Sequence, residues 1–107
     1  LLRPPEKKLK AAASRAVRDS WEGVDPGLFE ALRELRRRMA EKKNVPSYIV
    51  FGDAALRDMA RRRPSTPVDF LKVHGVGEKK CDQYADTFLS LIKDYSASHG
   101  LLLDPLD

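Results

Sequence analysis

NVPSYIVFGD, Asn44 to Asp53, is the stretch that decides the fold class of this 107-residue chain. Tyr48-Ile49-Val50-Phe51 has the aromatic and β-branched composition of a strand. An isolated strand leaves its backbone donors and acceptors without partners, however, and the sequence offers no second strand to pair with it. The stretch therefore reads as a buried helical turn or an extended loop, with Pro46 ending the segment before it and Asp53 capping the segment after it. Ile49, Val50 and Phe51 read as core.

Upstream, Asp25-Pro26 marks a helix start, because a capping carboxylate can accept a free amide and proline at the first helical position loses no hydrogen bond. The helix is expected to run to about Lys43, burying Leu28, Leu32, Leu35 and Met39 with Phe29 at their flank. Farther upstream, "EKKLKAAASRAVRDSW" (6–21) favours helix by composition, with a thin stripe ending at Trp21. It reads as a helical linker docked through Trp21, or else as a mobile tether. Downstream of Asp53, a helix to about Arg62 turns Leu56 and Met59 inward. Thr66, Pro67 and Asp69 begin a short helix to about Val73, and the longest helix runs from Glu78 to about Ser98 on a stripe of Cys81, Tyr84, Phe88, Leu91, Ile92 and Tyr95. Gly100 is a plausible stop. The expectation is an all-α fold, a compact bundle of four to five helices with an N-terminal helical linker. Residues 1–23 form the linker from a preceding domain, 24–100 the domain, and 101–107 a tail or the next linker.

Composition narrows the function classes. With 42% hydrophobic and 34% charged residues the chain is that of a globular domain, and no run approaches the roughly 20 apolar residues of a membrane-spanning helix. A single cysteine, Cys81, excludes an internal disulfide, and two histidines assemble no zinc spacing. No metal or cofactor is expected within these residues, and the reading places the protein in the cytoplasm as a monomer with no membrane partner. The excess of 20 Lys and Arg over 16 Asp and Glu permits a polyanion partner. The excess sits in two places: residues 33–43 carry six cations against Glu34 and Glu41, and residues 57–63 carry four arginines against Asp58.

No catalytic set stands out. Asp53, Asp58, Asp69, Asp82 and Asp86 read as caps or as solvated charges on polar helix faces. "HGVGEKK" (74–80) reads first as a corner in which Gly75 and Gly77 take positive φ and Val76 plugs the core. The same geometry turns the free amides of a helix start outward beside Lys79 and Lys80. Lysines there are unfavourable for the helix dipole, which suggests a nearby anion. Tyr48 follows the proline turn next to Lys42 and Lys43, where its ring could stack on an unpaired base or lie half-buried with a wet hydroxyl.

Taken together, "LFEALRELRRRMAEKKNVPSYIVFGDAALRDMARRRPSTPVDFLKVHGVGEKKCDQYADTFLSLI" (28–92) resembles the HRDC domain, the helicase and RNase D C-terminal module, in the form found in bacterial RecQ-family DNA helicases. The resemblance implies an accessory nucleic-acid-binding domain with no ATPase of its own, ATP and magnesium belonging to the parent helicase core, and a role in DNA repair and recombination at the bacterial nucleoid. It implies single-stranded or junction DNA as partner, besides the helicase core of the same chain. By matching positions it assigns the contacts to Tyr48, Arg36, Arg37, Lys42 and Lys43; Lys79, Lys80 and the Gly77 turn, read above from the helix start, are expected as a second contact. Two other readings stay open: a protein-interaction or intramolecular docking module, and the equivalent domain of an RNase D-like exonuclease.

Overall fold

The computed structural model describes residues 21–105, and all regular structure among them is helical. The order is α1 Pro26–Lys43, α2 Ser47–Val50, α3 Asp53–Arg62, α4 Pro67–Phe70 and α5 Glu78–His99. The expected linker helix lies outside the described residues except for Trp21, whose ring meets Phe29 edge-on with centroids 4.6 Å apart.

Both ends of α1 follow from local chemistry. The Asp25 carboxylate accepts the Leu28 amide at 2.8 Å and Pro26 opens the helix. At the other end Asn44 adopts the left-handed conformation, φ 57°, which a short polar side chain tolerates. Its amide donates to the Glu41 carbonyl at 3.1 Å and that of Val45 to the Ala40 carbonyl at 3.0 Å. These paired bonds stop the helix and turn Val45 back toward the core.

α1 and α5 pack as antiparallel neighbours: Gly27 at the start of α1 meets Tyr95 late in α5, and Lys43 at the end of α1 meets Tyr84 near the start of α5. Leu28, Phe29, Leu32 and Leu35 of α1 are buried with Leu56 and Met59 of α3 and Tyr84, Phe88 and Ile92 of α5. Met39, Leu91 and Tyr95, expected in the buried stripes, are only partly buried. Phe51 is fully buried and meets Phe70, Tyr84 and Phe88 edge-on at 6.1, 5.4 and 5.1 Å. Each such pair adds about 0.5–1.5 kcal/mol beyond the area it buries.

The strand-like run thus resolves into one helical turn followed by an extended residue, Phe51 at φ −153° and ψ 148°. Val50 and Phe51 point inward, whereas Ile49, expected in the core, is 47% exposed beside Tyr48. A single turn cannot send four consecutive side chains to one side.

Three further expectations need correction. Asp53 does not cap α3: Gly52 occupies the cap position, Asp53 sits in the first turn, and its carboxylate pairs with Arg36 instead. The short helix capped by Thr66 ends at Phe70 rather than Val73, and the chain continues through tight bonds from the Lys72 amide to Asp69 and from the Val73 amide to Phe70. In the 74–77 corner only Gly75 takes positive φ, at 83°. Gly77 is extended, φ −96°, and a Cβ there would meet open space. Val76 is buried as expected.

Asp58 is the largest departure. Instead of a solvated face it is buried to 7% exposure, accepting from Arg61 Nη1 at 2.8 Å, Arg62 Nε at 3.0 Å and the His74 backbone amide at 2.8 Å. One carboxylate thereby ties α3 to the corner that leads into α5. The tail also folds back: the Asp104 amide donates to the Arg63 carbonyl at 2.9 Å, Ser65 Oγ to Asp104 Oδ2 at 2.5 Å, and Arg63 Nε to the Leu102 carbonyl at 2.6 Å.

Candidate nucleic-acid interface

The two basic clusters have different fates. In the second, Arg61 and Arg62 serve Asp58, Arg61 Nε also reaches the Glu22 carbonyl at 3.0 Å, Arg63 binds the Leu102 and Ala60 carbonyls, and Arg57 lies 5.8 Å from the Trp21 ring centroid. Its charge is used to join the tail and the segment before α1 to α3.

The first cluster divides along α1. Arg33 pairs with Glu30 at 3.1 Å, and Arg37 binds both oxygens of Glu34 and, at 2.9 Å, Glu41. The hydrogen bond from Arg37 holds the Glu34 carboxyl below its ordinary range, and the Glu34 carboxylate in turn raises the pKa of Arg37. Arg36, only 12% exposed in its side chain, donates from Nη1 to Asp53 Oδ1 at 2.7 Å and to the Phe51 carbonyl at 3.1 Å. Lys42 and Lys43 in the last turn are exposed and form no ion pair among the described residues. Arg33, Arg36 and Arg37 are thus met by carboxylates, whereas Arg38, Lys42 and Lys43 are exposed without an ion pair among the described residues.

That free end faces the start of α5. Lys43 Nζ stands 5.2 Å from the Tyr84 ring centroid and Lys80 Nζ 5.5 Å from that of Phe51, and the two rings are themselves in edge contact. Ammonium groups over adjoining aromatic faces are held by the ring quadrupoles while their outer sides stay available to an anion. Lys43 and Lys80 thus stand over two contacting rings, Lys79 beside Lys80 in the chain is exposed, and Gly77 caps α5 with no side-chain hydrogen bond to the first amides.

Tyr48 stands on the turn that follows α1 directly and is 69% exposed, anchored from behind by Val50 and Phe51. Phe51 links it to the lysines: the residue that ends the Tyr48 turn carries the ring under Lys80. Of the residues named from the sequence, Tyr48, Lys42, Lys43, Lys79 and Lys80 are exposed or partly exposed, and of these Lys43 and Lys80 stand over the aromatic pair; Gly77 caps the start of α5, Arg37 is exposed but paired, and Arg36 is turned into the fold. Ile49 is an addition that sequence reasoning missed. Its only signal is its place beside Tyr48 in a turn too short to bury both.

The HRDC domain family model matches residues 25–92. ATP-dependent DNA helicase RecQ of Haemophilus influenzae is 35% identical over 97 residues, 91% of this chain and 16% of that protein. RecQ of Pasteurella multocida is 42% identical over 71 residues, 66% of this chain and 11% of that protein. The chain thus spans a small fraction of the length of these relatives. Among solved structures, the D. radiodurans RecQ HRDC domain 3 superposes with a TM-score of 0.62 at 37% identity, covering 64% of this chain and 90% of that one. Fold, motifs and sequence agree, and the chain belongs to the HRDC domain family.

Proposed function

We propose that this domain is an accessory nucleic-acid-binding module of a RecQ-like ATP-dependent DNA helicase, and that it holds single-stranded or junction DNA to tune which substrates the helicase engages in repair and recombination. Tyr48 stacks on an unpaired base, Lys42, Lys43, Lys79 and Lys80 neutralise phosphates, and the Gly77 helix start adds a secondary contact. Arg37 joins by exchanging Glu34 and Glu41 for a phosphate, a small step for an exposed surface pair.

The observation that supports this reading is an exposed Tyr48 on the turn directly after α1, together with Lys43 over the Tyr84 ring and Lys80 over the Phe51 ring, two cations without carboxylate partners among the described residues. Sequence-tolerant binding of single strands combines those two elements, an aromatic platform and a basic track. With three to four of these five cations engaging phosphates at once, the log–log salt slope is about −2 to −3, so affinity falls about 15- to 60-fold between 50 and 200 mM salt. Anisotropy of a labelled single-stranded oligonucleotide over that range tests the reading, and the absence of salt-sensitive binding at high micromolar protein overturns it.

A second reading, docking onto the helicase core, draws on the outer face of α1, where Glu30, Arg33, Glu34, Arg37 and Glu41 neutralise one another and leave little net charge for DNA. It predicts amide shifts on that face when the core is added and none with oligonucleotide.

A further inference from the structure

We infer that Arg36 and Asp53 form a positioning clamp that sets the Tyr48 turn for stacking, and that Arg36 is not a phosphate contact; the inference rests on the functional reading above. The turn is weakly held by its own backbone. α2 has four residues, its cap Pro46 supplies no side-chain hydrogen bond, and its two closing bonds run from the Ile49 amide to the Pro46 carbonyl at 3.0 Å and from the Phe51 amide to Ser47 at 3.4 Å. The next helix begins at Gly52 without a side-chain cap. Between these two ends, Arg36 reaches across from α1 and one nitrogen, Nη1, binds the Phe51 carbonyl that closes the turn and the Asp53 carboxylate that opens α3.

The clamp has a chemical logic. Phe51 is extended, so its carbonyl belongs to neither helix and needs a donor from elsewhere. Asp53 lies at a helix N-terminus, where a carboxylate is favoured, and being 62% exposed in its side chain it can anchor the guanidinium without being buried itself. Arg36, 12% exposed, has its charge met inside the fold and offers little surface to a phosphate. Tyr48, three residues before Phe51, points outward only as long as the turn keeps this attachment.

At Asp53 a clamp and simple electrostatics have opposite consequences. Removing a negative charge from the neighbourhood of a basic site strengthens polyanion binding if charge alone matters. If the carboxylate anchors the clamp, Asp53→Ala weakens binding. Arg36→Ala and Asp53→Ala are each expected to lower affinity for a single-stranded oligonucleotide about three- to tenfold, the range for an ordinary net hydrogen bond because the turn is loosened and not abolished, with the salt slope unchanged. The double variant is expected to be no worse than either single one, because both remove the same attachment. Amide exchange at Ile49 and Phe51, measured without DNA, is expected to quicken in both variants. Unchanged exchange overturns the clamp, whether or not the wild type binds DNA. Asp53→Ala binding as tightly as wild type or tighter, or a salt slope shallower by about 0.7 in Arg36→Ala, overturns it among binding-competent proteins. A wild type that binds no oligonucleotide refutes the functional reading and leaves the exchange result to decide the clamp.

Discussion

Replacing Asp58 by alanine removes the one acceptor that three donors share. The carboxylate accepts from Arg61 at 2.8 Å, Arg62 at 3.0 Å and the His74 amide at 2.8 Å. Arg61 is only 10% exposed in its side chain, so its guanidinium loses a buried carboxylate where water cannot fully replace it, whereas Arg62, 35% exposed, can turn to solvent. Breaking a buried pair by removing one partner costs about 3–5 kcal/mol, and the amide of His74 is left without its acceptor as well. For a domain of this size each kcal/mol shifts the melting temperature by about 4–8 °C, so a fall of roughly 12–40 °C is expected, up to loss of folding at room temperature. Thermal unfolding followed by circular dichroism reads the change. Asp58→Asn, which keeps an acceptor for the His74 amide, is expected to fall between wild type and Asp58→Ala. A drop of less than about 4 °C for Asp58→Ala would refute the reasoning, because it would mean that Arg61 and the His74 corner find other partners at no cost.

Other expectations follow from single contacts. Tyr48→Ala is expected to weaken single-strand binding by about 1–3 kcal/mol, a 5- to 150-fold loss, with the melting temperature nearly unchanged because the ring is exposed; anisotropy and melts on the same protein check both halves. Gly27→Ala puts a methyl 2.0 Å from the Tyr95 hydroxyl. It is expected to destabilise by about 1–3 kcal/mol in denaturant titrations, with Tyr95→Phe in the same chain recovering part of the loss by removing the clashing oxygen. In acid, the Thr66 hydroxyl foremost, and then Lys72, hold the Asp69 carboxyl below its ordinary value of 3.8. The native state thus binds this proton more weakly than the unfolded chain. Its stabilising share is complete above that value and is lost as pH falls through the lower native one. Asp69→Asn is expected to flatten the decline of melting temperature below about pH 5, and an identical acid limb in the variant would count against the assignment.

Much of the fold was legible in local chemistry. The start of α1 at Asp25-Pro26, its stop before Pro46, the Thr66 cap and the Gly100 stop each depend on a few neighbouring residues, and each stands where those residues put it. A lone strand at 48–51 would leave its backbone groups without partners, so an all-helical fold was legible there as well. What local chemistry could not reach was the partnering of charges. Asp58 reads as solvated because its arginine neighbours are common on exposed helices; only packing of the 74–77 corner on α3 reveals that it is buried. Arg36 and Arg37 are adjacent and look equivalent, yet one lies in the groove toward Phe51 and Asp53, and the other faces outward between two glutamates. Lys43 is brought over the Tyr84 ring by the antiparallel packing of α1 on α5, and Lys80 over that of Phe51, relations that no short-range pattern encodes. The Gly75-Gly77 pair looked symmetrical, but only the first needs a left-handed backbone.

The most direct test of the central claim is a two-dimensional amide NMR titration of the domain with a short single-stranded oligonucleotide. The account predicts shifts concentrated at residues 42–51 and 77–80, the Tyr48 turn and the lysines over Phe51 and Tyr84, fading as salt is raised. Shifts centred instead on the arginines at 57–63, or no shifts at saturating oligonucleotide, would contradict it.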